Sequence, residues 1–335
     1  MADRFVLRSK KAKLKDNLAG RDSLKDKIRL ISVVGPTASG KTRLSVELAK
    51  RYDGEIISAD SMQIYKGMQI ATAKPTAEEM QGIPHHLMDF LPPDKTYSVA
   101  AFVHDARKVI GDIVSRGKLP ILVGGTGLYV DSLLNHVHFS DQPTDEQYTA
   151  ELWKIQETEG TDRLLEMLKK VDKPSFDRLN IERNPKRIIR ALAFFQSTGV
   201  TMTEQMANSH PEESPYAPVK LGLNFLDREK LYERINKRVD LMMEQGLVEE
   251  AREVLNSPLG ATAVKAIGYK ELAPYFNSEA TLEACIEKLK RETRRYAKRQ
   301  LTWFKRDSEI NWLYVDSTNS FNELLQQAVS VINKG

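Results

Sequence analysis

Gly35-Pro36-Thr37-Ala38-Ser39-Gly40-Lys41-Thr42 satisfies G-x-x-x-x-G-K-[ST] at every fixed position. The flanks suit it. Residues 28–34 (Ile-Arg-Leu-Ile-Ser-Val-Val) read as a short buried strand, and Thr42 to Lys50 read as a helix. A strand, a glycine loop and a helix N-terminus together form a phosphate cradle, because loop N–H groups and the positive helix end point at one anion. Gly35, Pro36, Thr37, Ala38, Ser39 and Gly40 supply the loop, Lys41 a charge, and the Thr42 hydroxyl a place for Mg²⁺. The pattern announces a polyphosphate; it does not name the reaction.

The 335 residues suggest about two domains. Cys285 is the single cysteine, which excludes an intrachain disulfide and a cysteine-rich metal site and fits a reducing compartment. No apolar run reaches membrane-spanning length, and the first residues lack the apolar core of a signal peptide, so a cytoplasmic protein is expected. The net charge of +4 is unevenly placed. Residues 1–27 hold nine Lys/Arg and four Asp/Glu, which leaves the remainder at −1. Residues 286–306 carry nine basic and two acidic side chains. Basic surfaces on a near-neutral body suit a polyanionic partner. The basic extension, 1–27, is expected to be disordered.

A second strand, 54–60, ends at Asp60. Strand ends in open parallel sheets face the ligand crevice, so Asp60 belongs near the phosphate loop, as a Mg²⁺ ligand, a general base or a cap on the next turn. Residues 61–97 are loop-rich, and His85-His86 within them lack metal-ligand spacing. Ser98 caps a helix over 99–116, and 120–123 form a third strand before Gly124-Gly125-Thr126-Gly127. A nucleotide hydrolase wants a carboxylate at that corner; its absence argues against hydrolysis. From 142 to 208 helical periodicity replaces strands, which predicts a small all-helical insertion domain between a first core part, 28–141, and a second, 209–335. In the insertion, Asn184-Pro185 starts a helix carrying Lys186, Arg187 and Arg190 on one face, either phosphate-binding or merely solvated. Residues 219–225 read as a further strand. The helix over 228–245 puts Leu231, Ile235, Val239, Leu241, Met242 and Met243 on a broad apolar face. Arg238 falls inside that face and needs an anion, either a protein carboxylate or a ligand phosphate. Lys265 and Lys270 flank a glycine-centred segment. The helix over 286–304 sets Leu289, Tyr296 and Trp303 on one side, and Lys288, Arg291, Arg295, Arg299 and Arg306 in a stripe opposite.

Together GPTASGKT (35–42), ISADSMQIYKGMQIATAKPT (57–76), GIPHHLMD (82–89), YSVAAF (97–102), PILVGGTGLYVDSLL (120–134), NPKRIIRAL (184–192), LYERINKRVDLMMEQGLVEEA (231–251), KAIGYKE (265–271) and KRQLTWFKRD (298–307) resemble the bacterial tRNA dimethylallyltransferase family. The resemblance spans nearly all of 28–315. It implies an α/β fold with a P-loop NTPase-like parallel sheet core flanked by helices. It also implies transfer of a dimethylallyl group from its diphosphate to N6 of an adenosine next to the anticodon of tRNA, with Mg²⁺ as cofactor. On that reading residues 35–42 and Arg238 hold the diphosphate, Asp60 is the general base, and Thr126 lies by the same channel. Asp60, Ser61, Met62 and Gln63 would meet the base and its neighbours. Lys186, Arg187, Arg190, Lys265, Lys270, Arg291, Arg295 and Arg299 would grip the anticodon stem-loop. A monomer is expected. The rival readings are a P-loop small-molecule kinase with Arg187 and Arg190 in a lid, an isopentenyltransferase acting on free adenine nucleotides, and an RNA-binding protein with a relict loop. The basic segments 265–270 and 286–306 favour a large RNA acceptor.

Overall fold

Leu30 to Val34 are buried on both sides of their strand, as a strand at the centre of a helix-covered parallel sheet must be. A computed structural model of the chain describes residues 27–137, 145–208, 213–260 and 262–334. The basic extension expected over residues 1–27 therefore lies outside the described residues, Lys27 apart.

Strand β1 (Ile28–Val34) pairs in parallel with β4 (Leu119–Gly124) on one edge and β5 (Tyr216–Asn224) on the other. Ile31 sits opposite Ile121 and Val219. Beyond β4 come β2 (Gly54–Ser58) and β3 (His85–His86); beyond β5 comes β6 (Asn311–Tyr314). The order is β3-β2-β4-β1-β5-β6, and every pairing is parallel. All strands therefore end on the same side. The chain leaves β1 toward one edge and later returns to the other, and such a switch point opens a crevice at the strand ends.

Helices α1 (Lys41–Tyr52), α2 (Ala77–Met80), α3 (Val99–Ser115) and α4 (Gly127–Leu134) belong to the first half of this body. Ser98 caps α3, accepting from Ala101 N at 3.1 Å. After β5 follow α10 (Arg228–Glu244), α11 (Leu247–Leu255), α12 (Tyr269–Phe276), α13 (Leu282–Phe304) and α14 (Phe321–Lys334). One core runs from Ile31, Val33, Leu44 and Leu48 through Ile121 and Leu221 to Leu324 and Ile332, sewing α1 and α14 onto the sheet.

The chain divides into two compact units, residues 1–134 with 214–335, and residues 135–213. The second holds α5 (Glu146–Thr158), α6 (Gly160–Val171), α7 (Lys173–Glu182), α8 (Pro185–Thr198) and α9 (Met202–Asn208) around its own core of Leu152, Leu164, Leu168, Ile188 and Leu192. The boundary expected at 142 falls among residues that are not described.

Three expectations need correction, while the 61–97 segment is loop-rich as expected, with α2 and the edge strand β3 as its regular elements. There His86 Nε2 lies 2.7 Å from Glu55 Oε2, and Arg116 donates to the same oxygen at 2.6 Å. Strand β2 stops at Ser58, two residues before Asp60. Helix α13 begins at Leu282, capped by Thr281. The apolar face of α10 is narrower than its sequence suggests: Leu231, Ile235 and Val239 are buried, but Leu241 is 54% exposed.

Candidate diphosphate and base site

The loop after β1 adopts the conformation that its glycines permit. Gly35 has φ 144°, and a Cβ there would meet Leu223 O at 2.6 Å. Gly40 precedes α1 at φ 93°, and Ala38 is also left-handed at φ 61°. A non-glycine held there costs free energy and marks a loop fixed by its surroundings. Two neighbours fix it. Arg234 Nε donates to Ala38 O at 2.9 Å, and Thr37 N donates to Gln300 Oε1 at 2.9 Å.

Lys41 Nζ donates to Gly35 O at 3.0 Å and Pro36 O at 2.7 Å. Burial, reinforced by the nearby Arg238 charge, pushes its pKa down to about 7, while Asp60 pulls it up. Among the described residues the Thr42 hydroxyl has no side-chain or backbone partner, so its lone pairs stay free for a cation.

Arg238 reaches toward this loop from α10. It lies 3.5 Å from both Thr37 Oγ1 and Ala73 O, long contacts rather than strong bonds. Burial pulls its pKa below the usual guanidinium range, and Glu79 and Asp60 oppose that. No described carboxylate lies within ion-pair distance of it. Of the two partners open to Arg238, the structure supplies no protein one in contact.

Asp60 follows β2. Its Oδ1 accepts from Met62 N at 2.9 Å and Gln63 N at 3.4 Å. The side chain therefore does cap the next turn. Its other oxygen, Oδ2, has no described protein donor. Thr126 N donates to Ala59 O at 3.1 Å, and Thr126 Oγ1 accepts from Ser61 N at 3.1 Å. The ends of β1, β2 and β4 thus bring residues 35–42, Asp60 and Thr126 together, with Arg238 over them.

Gln63, one of the residues expected to meet the base and its neighbours, also holds its own loop together. Its Oε1 accepts from Ser58 Oγ at 3.0 Å, and its Nε2 donates to Thr72 O and Ala73 O, both at 3.2 Å. With both ends engaged it braces the loop. Ser61 and Met62 stay half-buried beside Asp60.

The brace continues. Lys74, 5% exposed, donates to Tyr65 O and pairs with Asp89. Glu250 of α11 accepts from Gln69 N at 2.9 Å, Ile70 N at 2.7 Å, Ala71 N at 2.9 Å and the Tyr269 hydroxyl at 2.9 Å. Gly268, at φ 120°, lets its backbone press on Ala71, where a Cβ would come within 2.8 Å of the Ala71 methyl.

Helix α13 closes the site through residues that the sequence reading left in an apolar stripe or did not single out. Gln300, 5% exposed, takes Thr37 N on one side and donates Nε2 to Gly125 O at 3.0 Å on the other. A side chain at Gly125 would collide with that amide, and one at Gly127 with the Trp303 ring. Trp303 Nε1 donates to Asp131 Oδ2 at 2.6 Å. Tyr296 lies within reach of Thr126 and Gln300; burial first, then Asp60, push its pKa up, so the hydroxyl stays neutral. A polar residue inside an apolar helix face was the signal for Gln300, as it was for Arg238.

On the outer side of α13, Lys288, Arg291, Arg295 and Arg299 are exposed, as is Arg306 just past its end. Arg295 is paired with Glu292 at 2.7 Å, while Arg299 and Arg306 lie over the Tyr296 and Trp303 rings. Arg291 has no described anionic partner. Lys265 and Lys270 are exposed, with Lys270 3.7 Å from Glu271. In the insertion unit Asn184 caps α8, Arg187 pairs with Glu182, and Lys186 and Arg190 are exposed without a described carboxylate partner.

The IPP transferase family model matches residues 63–307, and the isopentenyl transferase model matches 27–90. The chain is 47% identical over 300 residues to a tRNA dimethylallyltransferase of Caldanaerobacter subterraneus subsp. tengcongensis, covering 89% of this chain and 95% of the relative. It is likewise 47% identical over 287 residues to that of Halalkalibacterium halodurans, covering 85% and 91%. Several solved structures are similar, two of them as follows. One is the full-length tRNA isopentenylpyrophosphate transferase of Bacillus halodurans (TM-score 0.68, 42% identity, 92% of this chain and 98% of that one). The other is a eukaryotic dimethylallyltransferase acting on tRNA (TM-score 0.77, 30% identity, 91% and 79%).

Proposed function

The chain belongs to the IPP transferase family of tRNA dimethylallyltransferases, and from that premise we propose how its residues divide the transfer of a dimethylallyl group to tRNA. The donor is dimethylallyl diphosphate and the acceptor is N6 of an adenosine beside the anticodon. The N6 lone pair is delocalised into the ring, so the amine is a weak nucleophile. The allylic carbon compensates, since its bond to the diphosphate oxygen weakens toward a stabilised cation. The protein's main task is to hold the charge that gathers on the departing diphosphate.

Residues 35–42 offer N–H groups and the α1 N-terminus to that charge. Lys41 and Arg238 add cations, both partly desolvated, where each counts for more than in water. Thr42 and the diphosphate's own oxygens would hold Mg²⁺, which would supply further neutralisation of the leaving group. As the N6–carbon bond forms and the carbon–oxygen bond breaks, Asp60 Oδ2 takes the N6 proton while Oδ1 keeps the carboxylate aimed through Met62 N. Thr126 anchors Ser61 beside it. The exposed cations of α13, with Lys265 and Lys270, grip the RNA backbone, and Lys186, Arg187 and Arg190 add phosphate contacts from the insertion. A splayed loop base reaches such a site more readily than a paired one. The enzyme works as a monomer.

The observation that carries this reading is Arg238: a guanidinium drawn into the loop region with no described carboxylate in contact, facing residues 35–42 across Thr37. Asp60→Ala tests the assignment. Transfer should fall by at least a thousandfold while tRNA affinity changes less than about threefold (about 0.7 kcal/mol at 1.4 kcal/mol per decade). Equal loss of both would remove Asp60 from proton transfer.

A further inference from the structure

Residues 69–74 form a turn that closes on itself. Ala73 N donates to Ile70 O at 2.9 Å and Lys74 N to Gln69 O at 3.1 Å. Within it Ala73 stands at φ 49°, in the left-handed region although it carries a Cβ. Such a conformation costs free energy and persists only where the surroundings impose it.

One carboxylate does much of the imposing. Glu250 Oε2 accepts from Gln69 N at 2.9 Å and Ile70 N at 2.7 Å, and Oε1 accepts from Ala71 N at 2.9 Å. Three consecutive N–H groups turned to one anion form a nest, here filled by the protein itself. The Tyr269 hydroxyl holds Oε1 as well, at 2.9 Å. Glu250 has no described cation partner, so its four donors are neutral groups that fix it by direction. The turn does not need Glu250 in order to close, since its own two bonds do that. What Glu250 supplies is the place where the turn sits.

That place matters for the reaction. Thr72 O and Ala73 O both accept from Gln63 Nε2 at 3.2 Å. Gln63 N and Met62 N in turn donate to Asp60 Oδ1, at 3.4 and 2.9 Å. A continuous chain of bonds therefore runs from Glu250 through the turn and Gln63 to the Asp60 carboxylate. Ala73 O is also 3.5 Å from Arg238 Nη2, a contact too long to steer the guanidinium. The diphosphate side is thus largely independent of the turn.

We propose that Glu250 is a positioning residue for the transfer: its carboxylate sets the 69–73 turn and, through Gln63, the aim of Asp60, without touching either substrate. The proposal rests on Asp60 as the acceptor of the N6 proton. A displacement of about 1 Å at a reacting group can cost roughly a hundredfold in rate, so a loosened turn is enough to be felt. Tyr269 lies between Lys265 and Lys270. The residues that grip the RNA and those that meet its base therefore share one anchor.

The test is a double-mutant cycle of Glu250→Gln with Gln63→Met, read as kcat at saturating dimethylallyl diphosphate and tRNA. Glu250→Gln keeps the shape but turns one acceptor into a donor that faces N–H groups. Each single variant should lower kcat at least tenfold. In the Gln63→Met background Glu250→Gln should cost less than twofold, because the link is already cut. For Glu250→Gln alone, affinity for labelled diphosphate and for tRNA should stay within about threefold of wild type. Either single variant at wild-type kcat would overturn the proposal. So would equal factors in both backgrounds, or a fall in diphosphate affinity in step with kcat, which marks a general loss of structure. If Glu250→Gln does not yield folded protein, Glu250→Asp, which keeps the charge one methylene short, enters the same cycle with the same expectations. Asp60→Ala keeps the two readings apart. Transfer surviving that change removes Asp60 as the base, whereas independent factors in the cycle remove Glu250 and leave Asp60 in place.

Discussion

Lys41 is held with a pKa of about 7 by burial and by Arg238. A diphosphate arriving beside it favours the charged form, so its pKa rises on binding. Above pH 7 binding must then draw a proton from solvent, and affinity falls as pH climbs, approaching tenfold per unit until the pKa of the bound form is passed. Calorimetry at pH 8 in two buffers of different ionisation enthalpy should find proton uptake near one per diphosphate. No net uptake would mean Lys41 is already charged in the free protein. Gln300 makes its contribution through geometry. Gln300→Met keeps the volume but strands Thr37 N and Gly125 O, each costing about 1–3 kcal/mol if left buried and unpaired. The KM for dimethylallyl diphosphate should rise at least tenfold, with tRNA affinity held; loss of tRNA affinity instead would mean the whole helix had shifted. Both residues were reachable from the sequence by different routes. Lys41 stands at a fixed place in a local pattern. Gln300 shows only as an amide on the apolar side of its helix, four residues after Tyr296 and three before Trp303.

Helix α13 carries two surfaces with separate tasks. Its inner side, with Tyr296, Gln300 and Trp303, sets the glycine corner after β4 against the phosphate loop. Its outer side presents arginines in unequal states. Arg295 already has Glu292, whereas Arg291 has no described partner. Releasing condensed cations from RNA rewards the free charge more, so Arg291→Gln should lower the salt dependence of tRNA binding by about one unit of slope. Arg295→Gln should lower it by less than half that. Equal effects in filter binding across a salt series would show that the Glu292 pair opens at no cost. The basic stripe was legible because charge repeats at helical spacing. The grip of Glu250 on Gln69, Ile70 and Ala71 was not. It joins residues 179 to 181 positions apart, and a glutamate that accepts backbone N–H groups looks in sequence like any exposed one. Strand β3 was hidden for another reason: two histidines have no periodicity, and only the edge of β2 makes them a strand.

At the scale of the whole molecule the chain divides into two compact units. The unit of residues 135–213 has its own core, with Leu152, Leu164, Leu168 and Ile188 fully buried. A helical unit of that length exceeds the about 40-residue floor for independent folding. Expressed alone it should give a helical circular dichroism spectrum and a cooperative melt, with Leu152→Ala costing about 2–5 kcal/mol. A melt without cooperativity would show that the excised core is insufficient. Composition revealed this unit because strand-like runs stop and helical periodicity begins; the boundary expected at 142 lies outside the described residues.

The place of β1 between β4 and β5 has a consequence in time. The strand leaves the ribosome well before its second neighbour, which is not complete until Asn224. At about 5–20 residues per second the wait from Val34 is roughly ten to forty seconds. Throughout it, one edge of an apolar strand stands open, the kind of edge that recruits strangers. Slowing synthesis through the 135–213 coding region should cost yield even though no residue of the product changes.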